Sequence, residues 1–352
     1  MQLVSEVKTV HIELTDKCQA QCPMCARNYH GGATREFIKN NDISLEQFKQ
    51  WFPREFLTQL SNFYSCGNYG DPVFAKDCLE IFEYVRQCNT TTKIAIHTNG
   101  GMRDSKWWSK LAQVMGDNSE VVFAVDGLAG KHELYRKNTK FEKVIENLKS
   151  FIEAGGNARV ESLVFKHNEN DIDELDSFLK SLGVTHVNFF STQRFYDMKK
   201  FEVYNKDDSL VYYLEPAQTD KFKKKPFLGL NNLVDEEIRQ AVLSASVISP
   251  KCQNEIYVDP VGNIFPCCWI GGEYIEQPIK ELLPIHYLRN LSVEFTKKML
   301  DDIGIENCNN KVLYNNNTLF TGLDKYWQGK DKCMTCARQC SDMIYDLKSK
   351  YD

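Results

Sequence analysis

Three closely spaced cysteines near the N-terminus are the residues of this chain best suited to chemistry. Cys18, Cys22 and Cys25 are separated by three and then two residues, and they follow the apolar run at residues 10–14. Thiolates this close together bind soft metal ions or iron–sulfur clusters. A [4Fe–4S] cluster usually takes four thiolates, so three would leave one iron open to a substrate or cofactor. A zinc site with His30 as fourth ligand is the alternative.

A second group of cysteines lies in the last hundred residues. The stretch Asp259-Pro-Val-Gly262 predicts a turn between two short strands. Such a hairpin would bring the cysteines before and after it together, and the remaining ligands would come from further along the chain. The candidates are Cys252, Cys267, Cys333, Cys336 and Cys340. Paired cysteines of this kind also suit zinc.

Composition limits the class of protein. The chain has 352 residues, is 42% hydrophobic and 26% charged, and carries a net charge of −5. A protein that binds nucleic acid mainly through phosphates is usually basic, so a nucleic-acid partner is not expected. An apolar run of transmembrane length and a signal peptide are both missing from the sequence, which predicts a cytoplasmic protein with no membrane partner. Its 13 cysteines then indicate metal chemistry and not a disulfide framework.

The elements that must position the first cysteines alternate between strands and helices. Strands are predicted at residues 10–14, 62–66, 93–97, 121–125, 159–165 and 186–190, with helices at 44–52, 76–87, 105–115, 141–154 and 171–182. Ser44 and Gln47 have capping-box spacing at the start of the first helix. This alternation predicts an α/β fold with a parallel sheet, and ligands bind such sheets at the carboxyl ends of the strands. The cysteine loop follows the first strand, at that end.

With this context the sequence resembles the radical S-adenosylmethionine (SAM) superfamily, which places C-x3-C-x2-C after the first strand of a partial (β/α)6 barrel. Gly70, Asp71 and Pro72 are similar to the family's Gly-Gly-Glu-Pro-like element, with Asp for Glu. Thr98-Asn99-Gly100 resembles the end of the third strand in many members. Val125-Asp126-Gly127, followed by Arg136, is similar to an element of the peptide-modifying branch, although Ala124 replaces its usual serine.

The resemblance implies a function and a set of cofactors. Cys18, Cys22 and Cys25 would hold a [4Fe–4S] cluster, and SAM would contact Met24, Gly70, Asp71, Pro72, Asn99, Asp126 and Arg136. The protein would be an oxidoreductase-type enzyme that cleaves SAM to a 5′-deoxyadenosyl radical and abstracts hydrogen from a peptide or small molecule. A one-electron donor such as flavodoxin or ferredoxin is implied as a partner. No catalytic residue can be assigned from the sequence. His11, Glu13 and His97 could each be a buried core residue or part of the site.

The C-terminal cysteines resemble the SPASM and Twitch extensions of the same superfamily. These extensions hold auxiliary [4Fe–4S] clusters, and the spacing here implies one such cluster. Cys252, Cys267, Cys333 and Cys336 are the favoured ligands, and Cys340 is the main rival. Cys268 is expected in an extended strand, pointing away from Cys267, and Cys308 is the weakest candidate.

The expected organisation has three parts. Residues 1–190 form the partial barrel, 191–250 a bridging segment, and 251–352 the auxiliary cluster module, with little helix expected in the last part. Two other classes of protein stay open: a radical SAM enzyme that modifies tRNA, and a zinc-stabilised binding protein without catalytic activity.

Overall fold

A computed structural model of the chain gives the arrangement of most residues. The residues that it describes are 2–195, 198–219, 221–222, 244, 254–275, 284–315, 317–327, 333, 335–336 and 340. By internal contacts the chain divides into two compact units. Residues 12–48 and 61–227 form the sheet unit, and residues 1–11, 49–60 and 228–352 form the C-terminal unit. The predicted boundaries at 190 and 250 stay predictions.

Strands and helices alternate over the first 191 residues. Their order is β1 (Gln2–Leu3), β2 (Thr9–Ile12), α1 (Leu45–Trp51), α2 (Arg54–Thr58), β3 (Asn62–Ser65), α3 (Cys78–Cys88), β4 (Lys93–Thr98), α4 (Ser105–Met115), β5 (Glu120–Ala124), α5 (His132–Tyr135), α6 (Phe141–Glu153), β6 (Ala158–Val164), α7 (Ile172–Ser181) and β7 (His186–Ser191). All six predicted strands and five predicted helices are confirmed, with ends within about two residues, the usual scatter of element boundaries.

The remaining elements are shorter, with one exception. They are β8 (Phe201–Tyr204), β9 (Leu210–Leu214), β10 (Glu255–Val258), β11 (Asn263–Phe265), α8 (Cys268–Ile275), α9 (Pro284–Ile303), β12 (Glu306–Asn307) and β13 (Thr318–Leu319). None of the described helices is long and apolar enough to cross a membrane.

The sheet unit is built on parallel strands. β3, β4, β5, β6 and β7 are neighbours in that order and pair in parallel, and β2 lies beside β3. Each crossover between them carries a helix, as parallel neighbours require. The predicted fold class is confirmed: the protein is α/β, with the parallel sheet of a partial barrel.

One face of this sheet packs against the helices. Alternate side chains of β4 and of β6 are buried, and those between them are half-buried or exposed. Trp108 of α4 is fully buried and contacts Phe123 of β5 at a ring distance of 5.0 Å and Phe151 of α6 at 6.3 Å. The core of the unit therefore lies between the sheet and its helices, and on the opposite, inner face most strand side chains are half-buried.

Local capping fixes where helices begin. The backbone N–H of Gln47 donates to the Ser44 hydroxyl at 3.1 Å, and the N–H of Ser44 donates to the Gln47 side chain at 3.4 Å. These two bonds confirm the predicted capping box of α1. At α4 the Asp104 carboxylate accepts from the N–H of Trp107 at 2.9 Å.

The C-terminal unit contains pairs of antiparallel strands. β10 pairs with β11 and β11 with β12, while β1 pairs with β13. The predicted turn at 259–262 joins β10 to β11, and the buried Asp259 carboxylate holds it by accepting from the N–H groups of Val261 at 3.0 Å and Asn263 at 2.8 Å. Gly262 has a φ of +89°, which glycine adopts at low cost.

Two expectations for the later part of the chain were wrong. α9 is a helix of 20 residues where little helix was predicted. Its buried Val293, Met299 and Leu300 recur at helical spacing, but the buried Thr296 interrupts the apolar pattern. Cys268 begins helix α8 and is not in an extended strand.

The expected bridging segment contains the antiparallel hairpin β8–β9, whose turn is stabilised by Asp207 accepting from Ser209.

Candidate functional site

The cysteine loop follows β2, as predicted, and forms a compact turn. The N–H of Cys25 donates to the carbonyl oxygen of Cys22 at 3.0 Å. Cys22 is buried, and Cys18 and Cys25 are half-buried. Because the three thiols lie at this spacing on one turn, they can face a common ligand.

The end of β4 reaches the first cysteine. The Asn99 side-chain amide donates to the Cys18 sulfur at 3.5 Å, and its oxygen accepts from the Gln19 amide at 2.6 Å. The structure thus brings Asn99 beside the loop that the sequence predicted to be its neighbour.

The end of β5 reaches the second cysteine. Arg136 Nη1 lies 3.8 Å from the Cys22 sulfur, and Arg136 Nε donates to the Asp126 carboxylate at 2.5 Å. Asp126 is fully buried and also accepts from the N–H of Leu163 on β6 at 2.6 Å. The buried His132 accepts from the N–H of Asp126 at 3.2 Å, and burial lowers the pKa of His132 to about 3, so its ring is neutral and serves to hold this corner.

The Asp71 carboxylate is held by hydrogen bonds from neighbouring residues, so it is not free to contact the cysteine loop. Its carboxylate accepts from the Thr98 hydroxyl at 2.8 Å, from the Asn99 N–H at 2.7 Å and side-chain amide at 2.5 Å, and from the Val73 N–H at 3.2 Å. Burial raises its pKa, and the donors from Asn99, Thr98 and Val73 oppose that rise. This carboxylate therefore joins the loop after β3 to the end of β4.

Gly70 sits where a side chain cannot fit. A Cβ added there would lie 1.8 Å from the carbonyl oxygen of Thr15, which is backbone and cannot swing away. The N–H groups of Tyr69 and Gly70 both donate to Glu13 Oε1 at 2.7 Å, and Glu13 is buried. Pro72, also buried, begins a 3-10 turn directly after Asp71. The loop at 67–72 is thus wrapped around the Glu13 carboxylate.

Met24 lies in a cluster of buried side chains. The other members are Ala20, Cys22, Tyr135, Phe165, Phe195, Val203 and Leu214. The carbonyl oxygen of Met24 accepts from Arg194 at 2.9 Å. Its side chain fills an apolar gap between the cysteine loop and the hairpin β8–β9, and its predicted contact with SAM stays a prediction.

The three thiols are chemically suited to an iron–sulfur cluster. Burial raises the pKa of Cys22 to about 11, with Arg136 opposing, and burial also raises that of Cys18, together with the charges of Asp71 and the other two cysteines. Thiols in this setting ionise readily only when a metal takes the proton's place. Three sulfur ligands from one turn are a soft donor set, which fits iron and sulfide better than a hard cation. Within the described residues, no group of three or more His, Cys, Asp or Glu side chains has the spacing of a single metal-ion site.

The C-terminal cysteines are brought together only in part. Cys333 and Cys336 are buried and hydrogen-bonded to each other, a contact that lowers the pKa of Cys333. The Thr296 hydroxyl lies 4.0 Å from the Cys333 sulfur and donates to Glu273 at 2.7 Å, and Thr335 also donates to Glu273.

The other C-terminal candidates occupy different positions. Cys267 and Cys340 are half-buried, and Cys267 directly precedes α8. Cys308 is buried, and its N–H donates to the carbonyl oxygen of Gly262 at 2.8 Å, beside the hairpin turn. Cys252 lies outside the described residues.

Comparison with known protein families identifies the family that the residues of this site match. Residues 12–179 match the Radical SAM superfamily, and this stretch contains the cysteine loop, Asp71, Asn99, Asp126 and Arg136. Residues 12–179 are the part of the chain that matches a radical SAM domain. The protein is an enzyme, and this match supports SAM and a [4Fe–4S] cluster as its cofactors.

Individual relatives of the radical SAM domain are distant. The GTP 3′,8-cyclase of Aquifex aeolicus (strain VF5) is 22% identical over 276 residues, 76% of this chain and 83% of that protein. The solved structure of anSMEcpe with bound AdoMet has a TM-score of 0.50 at 16% identity, and the match covers 93% of this chain and 88% of that one. Streptococcus suis SuiB has a TM-score of 0.49 at 14% identity, with 76% of this chain covered. The chain spans only 61% of SuiB.

Three residues that hold the predicted site residues in place were missed or left unassigned by sequence reasoning. Glu13 carried a signal, because a carboxylate within an apolar strand needs a partner when it is buried. Thr98 precedes Asn99 in the quoted motif, but its bond to Asp71 depends on two strands being adjacent. Gln19 has no sequence signal, since its partner Asn99 is 80 residues away.

Proposed function

We propose that Cys18, Cys22 and Cys25 hold the [4Fe–4S] cluster of the radical SAM domain. The observation that carries this proposal is the convergence on the cysteine loop of Asn99, which contacts Cys18, and Arg136, which contacts Cys22. Asn99 directly follows strand β4, and Arg136 ends helix α5 in the segment after β5. Ligands of α/β sheets bind at the carboxyl ends of the strands, where these segments begin. A guanidinium beside a thiolate stabilises its negative charge, and an amide donor does so more weakly.

Further residues would hold SAM at the open iron. We assign this role to Met24, Gly70, Asp71, Pro72, Asn99, Asp126 and Arg136, with Asp71 acting through Asn99 because its carboxylate is already occupied. The cluster, once bound and reduced, would supply the one electron for cleavage of SAM to methionine and a 5′-deoxyadenosyl radical, which would take a hydrogen atom from the substrate. The chain's own part is to position SAM and exclude water.

The proposed reaction modifies a peptide or a small molecule, with flavodoxin or ferredoxin as the kind of electron donor required. We propose one auxiliary [4Fe–4S] cluster of SPASM or Twitch type, held by Cys252, Cys267, Cys333 and Cys336, with Cys340 as the rival ligand. The contact between Cys333 and Cys336 supports the assignment of that pair.

A nucleotide substrate is the second candidate. It is favoured by the 22% identical relative named GTP 3′,8-cyclase, which aligns over 83% of its own length. Incubation of reduced enzyme with SAM and GTP tests this candidate directly. Consumption of GTP together with formation of 5′-deoxyadenosine would favour it over a peptide substrate.

Iron analysis tests the cluster assignment. Anaerobically reconstituted protein should hold about eight irons per chain if both clusters form. A Cys18→Ala/Cys22→Ala/Cys25→Ala variant should hold about four and lose reductive SAM cleavage, because only the auxiliary ligands remain.

The matched control is Cys88→Ala, which removes a buried thiol on α3 that is not assigned to either cluster. This variant should keep all its irons and its SAM cleavage. SAM cleavage by the triple variant would refute the proposed function.

A further inference from the structure

The inner face of the parallel sheet carries an unexpected set of polar side chains. On β4, Ala95 and His97 alternate with the buried Ile94 and Ile96, which face the helices. On β6, Arg159, Glu161 and Leu163 are half-buried, while the residues between them are buried. Because neighbouring parallel strands present paired residues to the same side, these half-buried side chains share one face.

The strand register places these side chains in rows. One row is His97, Val122, Arg159 and His186, as given by successive pairings across β4–β7. The next row toward the carboxyl ends contains Ala124, Glu161 and Asn188. His97 thus lies one row below Glu161, and the charge of Glu161 acts on the His97 ring.

The rows lie directly beneath the residues assigned to SAM. His97 precedes Asn99 by two positions on β4, a rise of about 7 Å along a strand. Glu161 precedes Leu163, whose N–H donates to Asp126. His97 on β4 and Glu161 on β6 lie on either side of β5. A substrate group resting on both would therefore lie about two residues, roughly 7 Å, below Asn99, on the side away from the helices.

Most charged side chains on this face already have partners, but that of Glu161 does not. Glu120 is paired with Lys93 at 3.1 Å and with Arg159 at 3.4 Å. Within the part of the chain that the structure describes, the side chains of Glu161 and His97 have no hydrogen bond, and neither forms an ion pair within 4 Å. Burial lowers the pKa of His97 despite the opposing charges of Glu161 and Glu120, so the ring is neutral near pH 7 and one nitrogen accepts a hydrogen bond.

A carboxylate and a neutral imidazole are both acceptors for a cationic donor. An amine or guanidinium can donate to several acceptors at once, which suits a carboxylate and an imidazole on neighbouring rows. We propose that His97 and Glu161 bind a lysine or arginine side chain of the substrate. This inference rests on the proposed function, because it places that side chain beside SAM in a peptide-modifying radical SAM enzyme.

Binding of short peptides tests the proposal. The probes are acetylated tripeptide amides, Gly-Lys-Gly and Gly-Arg-Gly, compared with Gly-norleucine-Gly and Gly-citrulline-Gly, which have similar shape and no charge. Anaerobic calorimetry with reconstituted, SAM-loaded enzyme should show the charged member of at least one pair binding about tenfold tighter. Whichever pair shows this preference distinguishes an amine from a guanidinium.

Variants assign the preference to residues. Glu161→Gln should remove the charge preference, and His97→Asn should weaken binding of the charged probe about threefold or more. Both variants should keep the iron content, SAM affinity and substrate-free SAM cleavage of the wild type. Glu153→Gln is the matched control, because Glu153 is an exposed residue at the end of α6, on the helix side of the sheet.

The possible outcomes distinguish a failure of this inference from a failure of the proposed function. Equal binding of charged and neutral probes, failure of all four to bind, or an unchanged preference in Glu161→Gln would overturn it. Weaker SAM binding in Glu161→Gln would also overturn it, because Glu161 would then belong to the SAM site. Wild-type protein that fails to cleave SAM contradicts the proposed function itself, whichever probes bind.

Discussion

Asp71 shows how one residue can serve a site without touching its ligand. The sequence placed it in a SAM-binding element, with Asp where the similar family element has Glu. In the structure its carboxylate accepts only from protein groups, namely Thr98, Asn99 and Val73. In the proposed site, its effect on SAM passes through Asn99, whose amide reaches Cys18. There Asp71 is a positioning residue.

Replacing Asp71 by Asn should test this role. The new amide group would face donors, and each lost hydrogen bond to a charged acceptor is worth about 1.5–3 kcal/mol. We expect the free energy of unfolding to fall by about 3 kcal/mol and SAM affinity to fall about tenfold or more, with the cluster retained. Denaturant unfolding and equilibrium SAM binding measure the two effects.

Asp104→Asn is the control for this substitution. Asp104 caps α4, and Asn is as good a cap as Asp, so the same chemical change should leave stability and SAM binding nearly unaltered. An Asp71→Asn enzyme with wild-type SAM affinity would show that Asp71 does not position Asn99.

At the scale of elements, the loop after β3 is the most constrained connection near the site. It is tied to β2 through Glu13 and to the end of β4 through Asp71, so its two ends are fixed by buried carboxylates. Gly70 lies between these anchors, against the backbone of Thr15 at the start of the cysteine loop. The two loops can approach this closely only because one of them lacks a side chain at the contact.

The substitution Gly70→Ala adds only a methyl group, but we expect it to disturb the site strongly. The added Cβ would lie 1.8 Å from a carbonyl oxygen, so the loop must move away from the cysteine loop. We expect SAM affinity to fall at least about tenfold, because small displacements of a cofactor-binding loop are costly. Equilibrium SAM binding by the cluster-loaded variant measures this.

Gly130→Ala separates the clash from general backbone strain. Gly130 has a φ of +79°, and a Cβ there would meet nothing within 4 Å. This variant should lose about 1 kcal/mol of stability and keep its SAM affinity. Equal SAM binding by the two variants would contradict the close approach inferred for Gly70.

At the scale of the whole molecule, the cysteines fall into two separate groups. Cys18, Cys22 and Cys25 belong to the sheet unit, and Cys267, Cys308, Cys333, Cys336 and Cys340 to the C-terminal unit. The radical SAM domain covers only the first group. A chain with two such groups can divide its chemistry, with radical formation in one and a different task in the other.

Removing the second group should leave the first reaction intact. A Cys333→Ser/Cys336→Ser variant is expected to hold about four irons and still cleave SAM, while losing product formation from its substrate. Iron analysis and 5′-deoxyadenosine assays measure the first two properties. Cys308→Ser should keep about eight irons, since Cys308 packs beside the hairpin turn; a loss of four would make it a ligand.

The sequence by itself determined the parallel α/β fold and the cysteine loop, because both depend on short-range patterns. The alternation of apolar strands and amphipathic helices predicted all six strands from 10 to 190, and spacing alone marked Cys18, Cys22 and Cys25. Local turn chemistry also predicted the hairpin at 259–262. Helix α9 escaped because a buried threonine breaks its apolar stripe, and its burial depends on packing partners that no local window contains.

Only the tertiary structure decided which side chains meet across the sheet. The contacts of Asn99 with Cys18, of Arg136 with Cys22 and of Glu13 with the loop at 67–72 join residues that are 56 to 114 positions apart. Strand register also set the inner-face rows that place His97 near Glu161. Strand order and register arise from the packing of the whole unit, so no single segment encodes them.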